Sequence, residues 1–378
     1  MDNRFDDIRP YTDEELPAAM ERIAADGNFP AIASFIFPDR PLEEVRSLVC
    51  GIRGTYDLQT QVMMPLTERI IDTTTDGFTY SGIDILRHGE PYLFIGNHRD
   101  IMLDSTLLQY VLLANGYDST EITFGSNLMS STLLVDIGKS NKMFKVVRGG
   151  NIKDFYRNSM HLSEYLRYTL TEKRSSVWIA QRNGRTKDGS DVTDKGIINM
   201  FCMSCKENKV KALAELHIVP LAVSYEWEPC DILKTLELYA SRFGAYVKKK
   251  GEDLNSILTG ISQPKGRVHM EFCPLVTEDE LSRVSDTSRN EYYNIVARII
   301  DRRLWKAFRL YPNNFIAHDL LHHECRFSDN YTKAQKEAFR QRMMLLEQFK
   351  DYDMSVLMEI FLRIYATPVD NKEQVSGI

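Results

Sequence analysis

The strongest constraint on this chain lies between residues 74 and 277, where short apolar runs with polar or glycine ends alternate with stretches of helical periodicity. PYLFIGN (91–97) is typical: a brief apolar run ending in polar residues, the signature of a strand buried on both faces. The same texture recurs in GFTYSGIDIL, EITFGSN, FKVVRGG, SVWIAQ (176–181), HIVPLAVSYEW (217–227) and VHMEFCPLV (268–276). Between them, IMLDSTLLQYVLL and residues 152–172 carry the spacing of helices. Strands alternating with helices predict an α/β fold with a largely parallel central sheet flanked by helices. In such sheets ligands gather where strands end.

The flanks read differently. Residues 1–73 form a helical N-terminal region, with Thr12 as cap of a helix from Asp13, Glu15 as its capping-box partner, and further helices near 41–52 and 59–71. Residues 74–277 form the α/β region, and residues 278–378 a helical C-terminal region. The net charge of −6 argues against a nucleic-acid partner. No window approaches the roughly 20 apolar residues of a membrane-spanning helix. The opening MDNRFDDIRPYTDEEL is acidic and polar, unlike a signal peptide. Membrane contact is therefore expected to be peripheral. Of the six cysteines only Cys202 and Cys205 make a CxxC, which without a second pair reads as inert thiols in a reducing cytoplasm.

Four segments carry candidate chemistry. NHRDIMLDS (97–105) follows the strand PYLFIG, so His98 can expose its imidazole at a strand end with Asp104 or Asp100 as orienting carboxylate. A histidine so held can act as a general base on a hydroxyl. Six positions advance a regular helix by about 600°, so His98 and Asp104 meet only if His98 lies in the loop before the helix or the turn is distorted. KMFKVVRGG (142–150) places Arg148 after a strand and before two glycines, suited to forked binding of phosphate. IAQRNGRTKDG (179–189) runs from a strand into a loop with Arg182, Arg185 and Lys187 around Gly184, an anion cradle to which Lys195 adds charge. IVPLAVSYE (218–226) has Pro220 inside an apolar strand, which suggests an edge or a bulge beside a site.

In this order the segments resemble the glycerol-3-phosphate and 1-acylglycerol-3-phosphate (lysophosphatidate) acyltransferase superfamily, as a divergent bacterial-type member. That family has an Asn-His-x4-Asp block, a Phe-x-x-Arg block, a Glu-Gly-(Thr/Gly)-Arg-Ser block and a Val-Pro block. Asn97 and His98 match the first, Phe144 and Arg148 approximate the second, Gly184, Arg185 and Thr186 match the third in compressed form, and Val219 and Pro220 match the fourth. The departures are an extra residue between His98 and Asp104, and Asn183 where the family has glutamate. The resemblance covers roughly residues 75–275. It implies O-acyl transfer from acyl-CoA or acyl-carrier protein to glycerol-3-phosphate, lysophosphatidate or a related lysolipid, with His98 as general base. Asp104 is the preferred partner of His98, because the family aspartate lies on the following helix; Asp100 competes. Asn97, Arg99, Arg148, Asn183, Gly184, Arg185, Thr186, Lys187 and Pro220 are the candidate substrate contacts. No cofactor and no metal are implied, and the expected place is the inner face of the cytoplasmic membrane. The alternative is a non-catalytic lipid-binding protein on the same scaffold.

Three other features are weighed against bland readings. HDLLHHE (318–324) sets His318 and His322 one helical turn apart, a spacing that can bind zinc, but no third ligand is evident, so a polar helix face is preferred. YVKKKGED (246–253) can meet anionic headgroups or an acidic carrier, or be a solvated turn. Trp227 suits either a membrane interface or ordinary packing.

Overall fold

Each apolar run of residues 74–277 forms a strand: β1 (Thr75–Ser81), β2 (Leu93–Gly96), β3 (Glu121–Gly125), β4 (Met143–Val146), β5 (Val177–Ala180), β6 (Ile218–Tyr225) and β7 (Gly266–Phe272). The computed structural model describes residues 3–147, 149–205, 207–249 and 251–376. The strands make one seven-stranded sheet in the order β1-β7-β6-β2-β5-β3-β4. Every neighbouring pair is parallel except β6 with β7, which run antiparallel. The expected α/β architecture with a largely parallel sheet is what the chain adopts.

The central strands are apolar throughout because both faces of the sheet are covered. Alternation assigns the faces. Leu93 and Ile95 of β2, Val177 and Ile179 of β5 and Ile218 and Ala222 of β6 enter one core, shared with Tyr165 and Leu166, Phe201, and Val296 and Ile300. Those partners lie on the helices Ile152–Thr171, Lys195–Met203 and Arg289–Ala307. Phe94, Trp178, Val219, Leu221 and Val223 face the opposite core, closed by Leu107, Leu108, Val111 and Leu112 of the helix Leu103–Ala114. Two smaller cores lie outside the sheet. One joins Leu16, Met20, Phe29 and Val45 of the early helices with Leu133 and Ile137. The other joins Ile316, Phe339, Phe361 and Tyr365 late in the chain with Trp227 packed against it. Trp227 stacks on Phe339, so its ring is spent on packing.

Two local expectations are corrected. The first long helix begins at Leu16, not Asp13, and Thr12 does not cap it. Instead the Glu15 carboxylate accepts from the Thr12 backbone N–H at 2.7 Å and from Arg9 at 2.6 Å. The Arg9 bond holds that carboxyl down at about 2. Pro220 marks neither an edge nor a bulge, because β6 lies inside the sheet between β7 and β2. Its carbonyl faces β7, where it accepts from Cys273 N at 2.9 Å. The missing N–H shares that side and falls just beyond the last β6–β7 pair, Leu221 with Phe272. Opposite Cys273, the proline therefore forgoes one bond at the very end of the β6–β7 pairing, where the loss is small.

Gly96 closes β2 against the indole of Trp178, and a Cβ there would meet Trp178 Nε1 at 2.8 Å. Because neighbouring core atoms yield only at a cost, Gly96→Ala is expected to lower unfolding stability by about 1–3 kcal/mol. Urea denaturation followed by circular dichroism checks this.

Candidate active site

β2 ends at Gly96 in the middle of the sheet, and the chain turns through residues 97–102 before the helix Leu103–Ala114 begins. His98 therefore lies before the helix, which removes the angular obstacle posed by its spacing from Asp104. His98 Nδ1 stands 3.0 Å from Asp104 Oδ2. The same oxygen accepts from the backbone N–H groups of Arg99 at 2.7 Å and Asp100 at 2.9 Å. The other oxygen accepts from the Tyr225 hydroxyl at 2.9 Å. Asp104 is wholly buried and sits in the first turn of its helix, where the dipole favours negative charge.

Asp100 does different work. Its Oδ1 accepts from Met102 N and Leu103 N, both at 2.9 Å, and so starts the helix. Its Oδ2 is buried without a partner. Burial, and next the charge of Asp104, raise the pKa of Asp100 above the usual carboxylate range. The carboxylate that reaches His98 is Asp104. The imidazole lies edge-on to Trp178, with ring centroids 5.8 Å apart. Its side chain keeps 13% exposure, and no described residue hydrogen-bonds Nε2.

Behind the histidine lies a buried ionic frame. Arg99 is 1% exposed, and its guanidinium binds Asp191 and Glu228, the latter at 2.9 Å. It also lies over the Phe308 ring at 4.7 Å. Lys234 binds Glu228 and donates to Arg99 O at 2.7 Å. Two cations thus face two carboxylates, and that pairing offsets the cost of burying the charges. The Asn97 amide donates to Val223 O at 3.0 Å and Asp191 Oδ2 at 3.2 Å, and its oxygen accepts from Val223 N at 2.7 Å. Asn97 and Arg99 therefore hold the turn in place.

The basic loop after β5 comes to the same spot. Thr186 N donates to His98 O at 2.6 Å. Arg185 is buried; Nη2 donates to Ser256 Oγ at 3.1 Å and Nη1 has no partner. Thr186 Oγ1, Trp178 Nε1, Asp191 Oδ1, Thr193 Oγ1 and both amide atoms of Gln181 are also buried without partners. Such atoms are rare in a finished core. Lys187 is paired with Glu237. Asn183 is exposed at the tip of the loop, beside Gly184. Pro220 is buried in β6, in register with Ile95. Phe144 is fully buried in the sheet core. Arg148 lies outside the described residues.

The helix Glu252–Ser262 roofs the site. Ser256 meets Arg185, and Gly260 lies so close to Asp100 that a Cβ would sit 2.2 Å from Oδ2. Sequence reasoning missed Tyr225, Asp191, Glu228, Lys234 and Ser256. Only Tyr225 left a trace, since alternation along β6 puts it on the face of Val219, Leu221 and Val223.

Comparison by sequence finds no matching family model and no matching curated relative. Among solved structures, the chain is similar to the 1-acyl-sn-glycerophosphate (LPA) acyltransferase PlsC from Thermotoga maritima, at 13% identity and a TM-score of 0.36. The match covers 76% of this chain and 93% of that one.

Asp301 buttresses the loop by accepting from Thr193 N at 2.8 Å. Burial raises its pKa from 3.8 to about 6. The folded chain thus holds this proton more tightly than the unfolded one, and stability falls as pH rises from about 4 to about 6, then stays level. Asp301→Asn keeps the acceptor and removes the charge. It is expected to stabilise by up to about 3 kcal/mol above pH 6 and to change little below pH 4. Thermal melts of both proteins across that range check the sign.

Proposed function

We propose that this protein is an acyltransferase that passes a fatty acyl group from acyl-CoA or acyl-carrier protein to a hydroxyl of glycerol-3-phosphate, lysophosphatidate or a related lysolipid. One observation carries the reading: the His98–Asp104 pair, held at 3.0 Å by an aspartate whose other contacts leave it no freedom to turn away. Support comes also from the family-like order of the four motifs and from the unpartnered Arg185 Nη1 beside the pair.

In this mechanism His98 Nδ1–H points to Asp104, which fixes the tautomer and leaves the Nε2 lone pair for the acceptor hydroxyl. As Nε2 takes the proton, the hydroxyl oxygen attacks the thioester carbonyl. The new C–O bond forms, the carbonyl oxygen becomes an oxyanion, and Asp104 stabilises the imidazolium. Collapse breaks the C–S bond, and the proton passes from His98 to the leaving thiolate. Ester and thiol are the only products. Arg185 supplies the fixed positive group for the acceptor's anionic head. Arg99 and Asn97 act by positioning the turn.

His98→Ala is expected to lower thiol release by about 10²–10⁴-fold with the fold retained. Asp104→Asn is expected to lose more rate than Asp100→Asn. A colorimetric thiol assay with acyl-CoA and each acceptor measures all three. Lipid binding without thiol release in the wild type would favour the non-catalytic reading instead.

The lipid acceptor makes a membrane surface the natural partner. The roof helix turns Ser256 and Gly260 inward while Leu254 and Leu258 stand about half exposed on its other side. The preceding segment exposes Phe243 and Val247 beside Lys248 and Lys249. Apolar side chains flanked by lysines suit an anionic bilayer. No helix among the described residues is long and apolar enough to cross one. Replacing Phe243, Val247, Leu254 and Leu258 together by serine is expected to abolish co-sedimentation with phosphatidylglycerol vesicles. Retained sedimentation would remove this surface from the proposal.

A further inference from the structure

The histidine pair at residues 318 and 322 lies in the C-terminal core, away from the turn that bears His98. Its sequence spacing supplied two ligands and no third. The fold supplies one. His318 sits on the helix Pro312–Leu321, His322 caps that helix, and Asp370 belongs to the helix Met354–Ser376 packed against it. One ligand atom from each of His318, His322 and Asp370 can be chosen so that all lie within 4.8 Å of one another. His318 Nε2 is 3.4 Å from Asp370 Oδ1. Donors 2.0–2.1 Å from a tetrahedral zinc stand about 3.4 Å apart.

A second observation concerns the other ring nitrogen. His318 is 4% exposed, and its Nδ1 is buried without a hydrogen bond. Glu324 Oε1 lies 3.2 Å from it, so a small ring rotation makes Nδ1–H donate to that carboxylate. Metal-bound histidines characteristically give their second N–H to a carboxylate, which presents the remaining lone pair to the ion. Asp319 is a rival ligand on the Glu324 side. Its oxygens already accept from Phe327 N at 3.1 and 3.2 Å and from the Tyr331 hydroxyl at 2.8 Å. That leaves the Nε2 side, with His322 and Asp370.

We propose that His318, His322 and Asp370 form a site for a zinc-class divalent cation, with Glu324 orienting His318 from behind. Two imidazoles and one carboxylate are a donor set for borderline metals; hard Mg²⁺ prefers oxygen alone. The ion would staple the end of one helix to another that also serves the candidate active site. Tyr365 of that helix accepts from Glu228 N at 3.1 Å, and Asn371, next to Asp370, donates to Ser190 O at 2.9 Å.

The test uses the full chain, stripped with chelator and titrated calorimetrically with ZnCl₂ or MgCl₂. The expected result is one zinc per chain, no magnesium, and a melting temperature raised by stoichiometric zinc. His322 is exposed and Asp370 about half exposed, so His322→Ala and Asp370→Asn leave the fold standing. Each is expected to weaken zinc binding by at least about 100-fold, and Glu324→Gln by about 10–100-fold. His323→Ala, the neighbouring surface histidine, should leave it unchanged. Failure of the wild type to take up zinc, or equal uptake by the His322 and Asp370 variants, overturns the site. Because the readouts are heat and melting temperature, they stand apart from any result on acyl transfer.

Discussion

The Asp104 carboxylate is the constraint on which the rest of the site depends. It is buried and surrounded by His98, two backbone N–H groups and the Tyr225 hydroxyl. A buried carboxylate stripped of such donors costs several kcal/mol, so the chain is bound to supply them. Supplying them dictates the path of residues 98–100: the two N–H groups must point inward, and His98 is carried to the rim. Tyr225 adds a tie from β6 to the helix after β2. The geometry that orients the His98 ring is thus the geometry that keeps Asp104 satisfied, and the frame of Arg99, Asp191, Glu228 and Lys234 holds the same turn from beneath.

How much of this was visible in the chain follows from distance along it. The strands were legible because a parallel sheet buried on both faces leaves continuous apolar runs, as in LFIG of β2 and VWIA of β5. Their order was not, nor was the reversal of β7, because pairing partners are chosen by packing between distant segments. Pro220 misled for the same reason: whether a missing N–H matters depends on where the neighbouring strand stops. In the site, His98 and Asp104 were legible as a local pair. Tyr225, Asp191 and Glu228 meet their partners across 121, 92 and 129 residues, and no local pattern announces them. Arg99, expected as a substrate contact, is instead buried against Asp191 and Glu228, two acidic side chains brought from afar that make its burial tolerable.

The roof helix joins the two halves of the functional reading. Gly260 allows the helix backbone to approach Asp100, and Ser256 touches Arg185, so its inner side is fitted to polar groups. Its outer side carries leucines with no core to enter. A helix so divided has an inner side fitted to the polar groups of the site and an outer apolar side open to solvent.

The late helices give that cleft its rigidity. Asp231, wholly buried, accepts from Tyr365 at 2.8 Å and binds Arg342, and Tyr365 in turn accepts from Glu228 N. Asn371 grips the carbonyl of Ser190, one residue before the aspartate that holds both Arg99 and Asn97. A displacement of the helix Met354–Ser376 would therefore be felt at the turn bearing His98 through two short chains of hydrogen bonds. Anything that fixes the far side of that helix, whether packing of Phe361 and Leu357 or a cation held by Asp370, acts on the same frame. The turn bearing His98 is short, but the structure that keeps it in shape extends through residue 371.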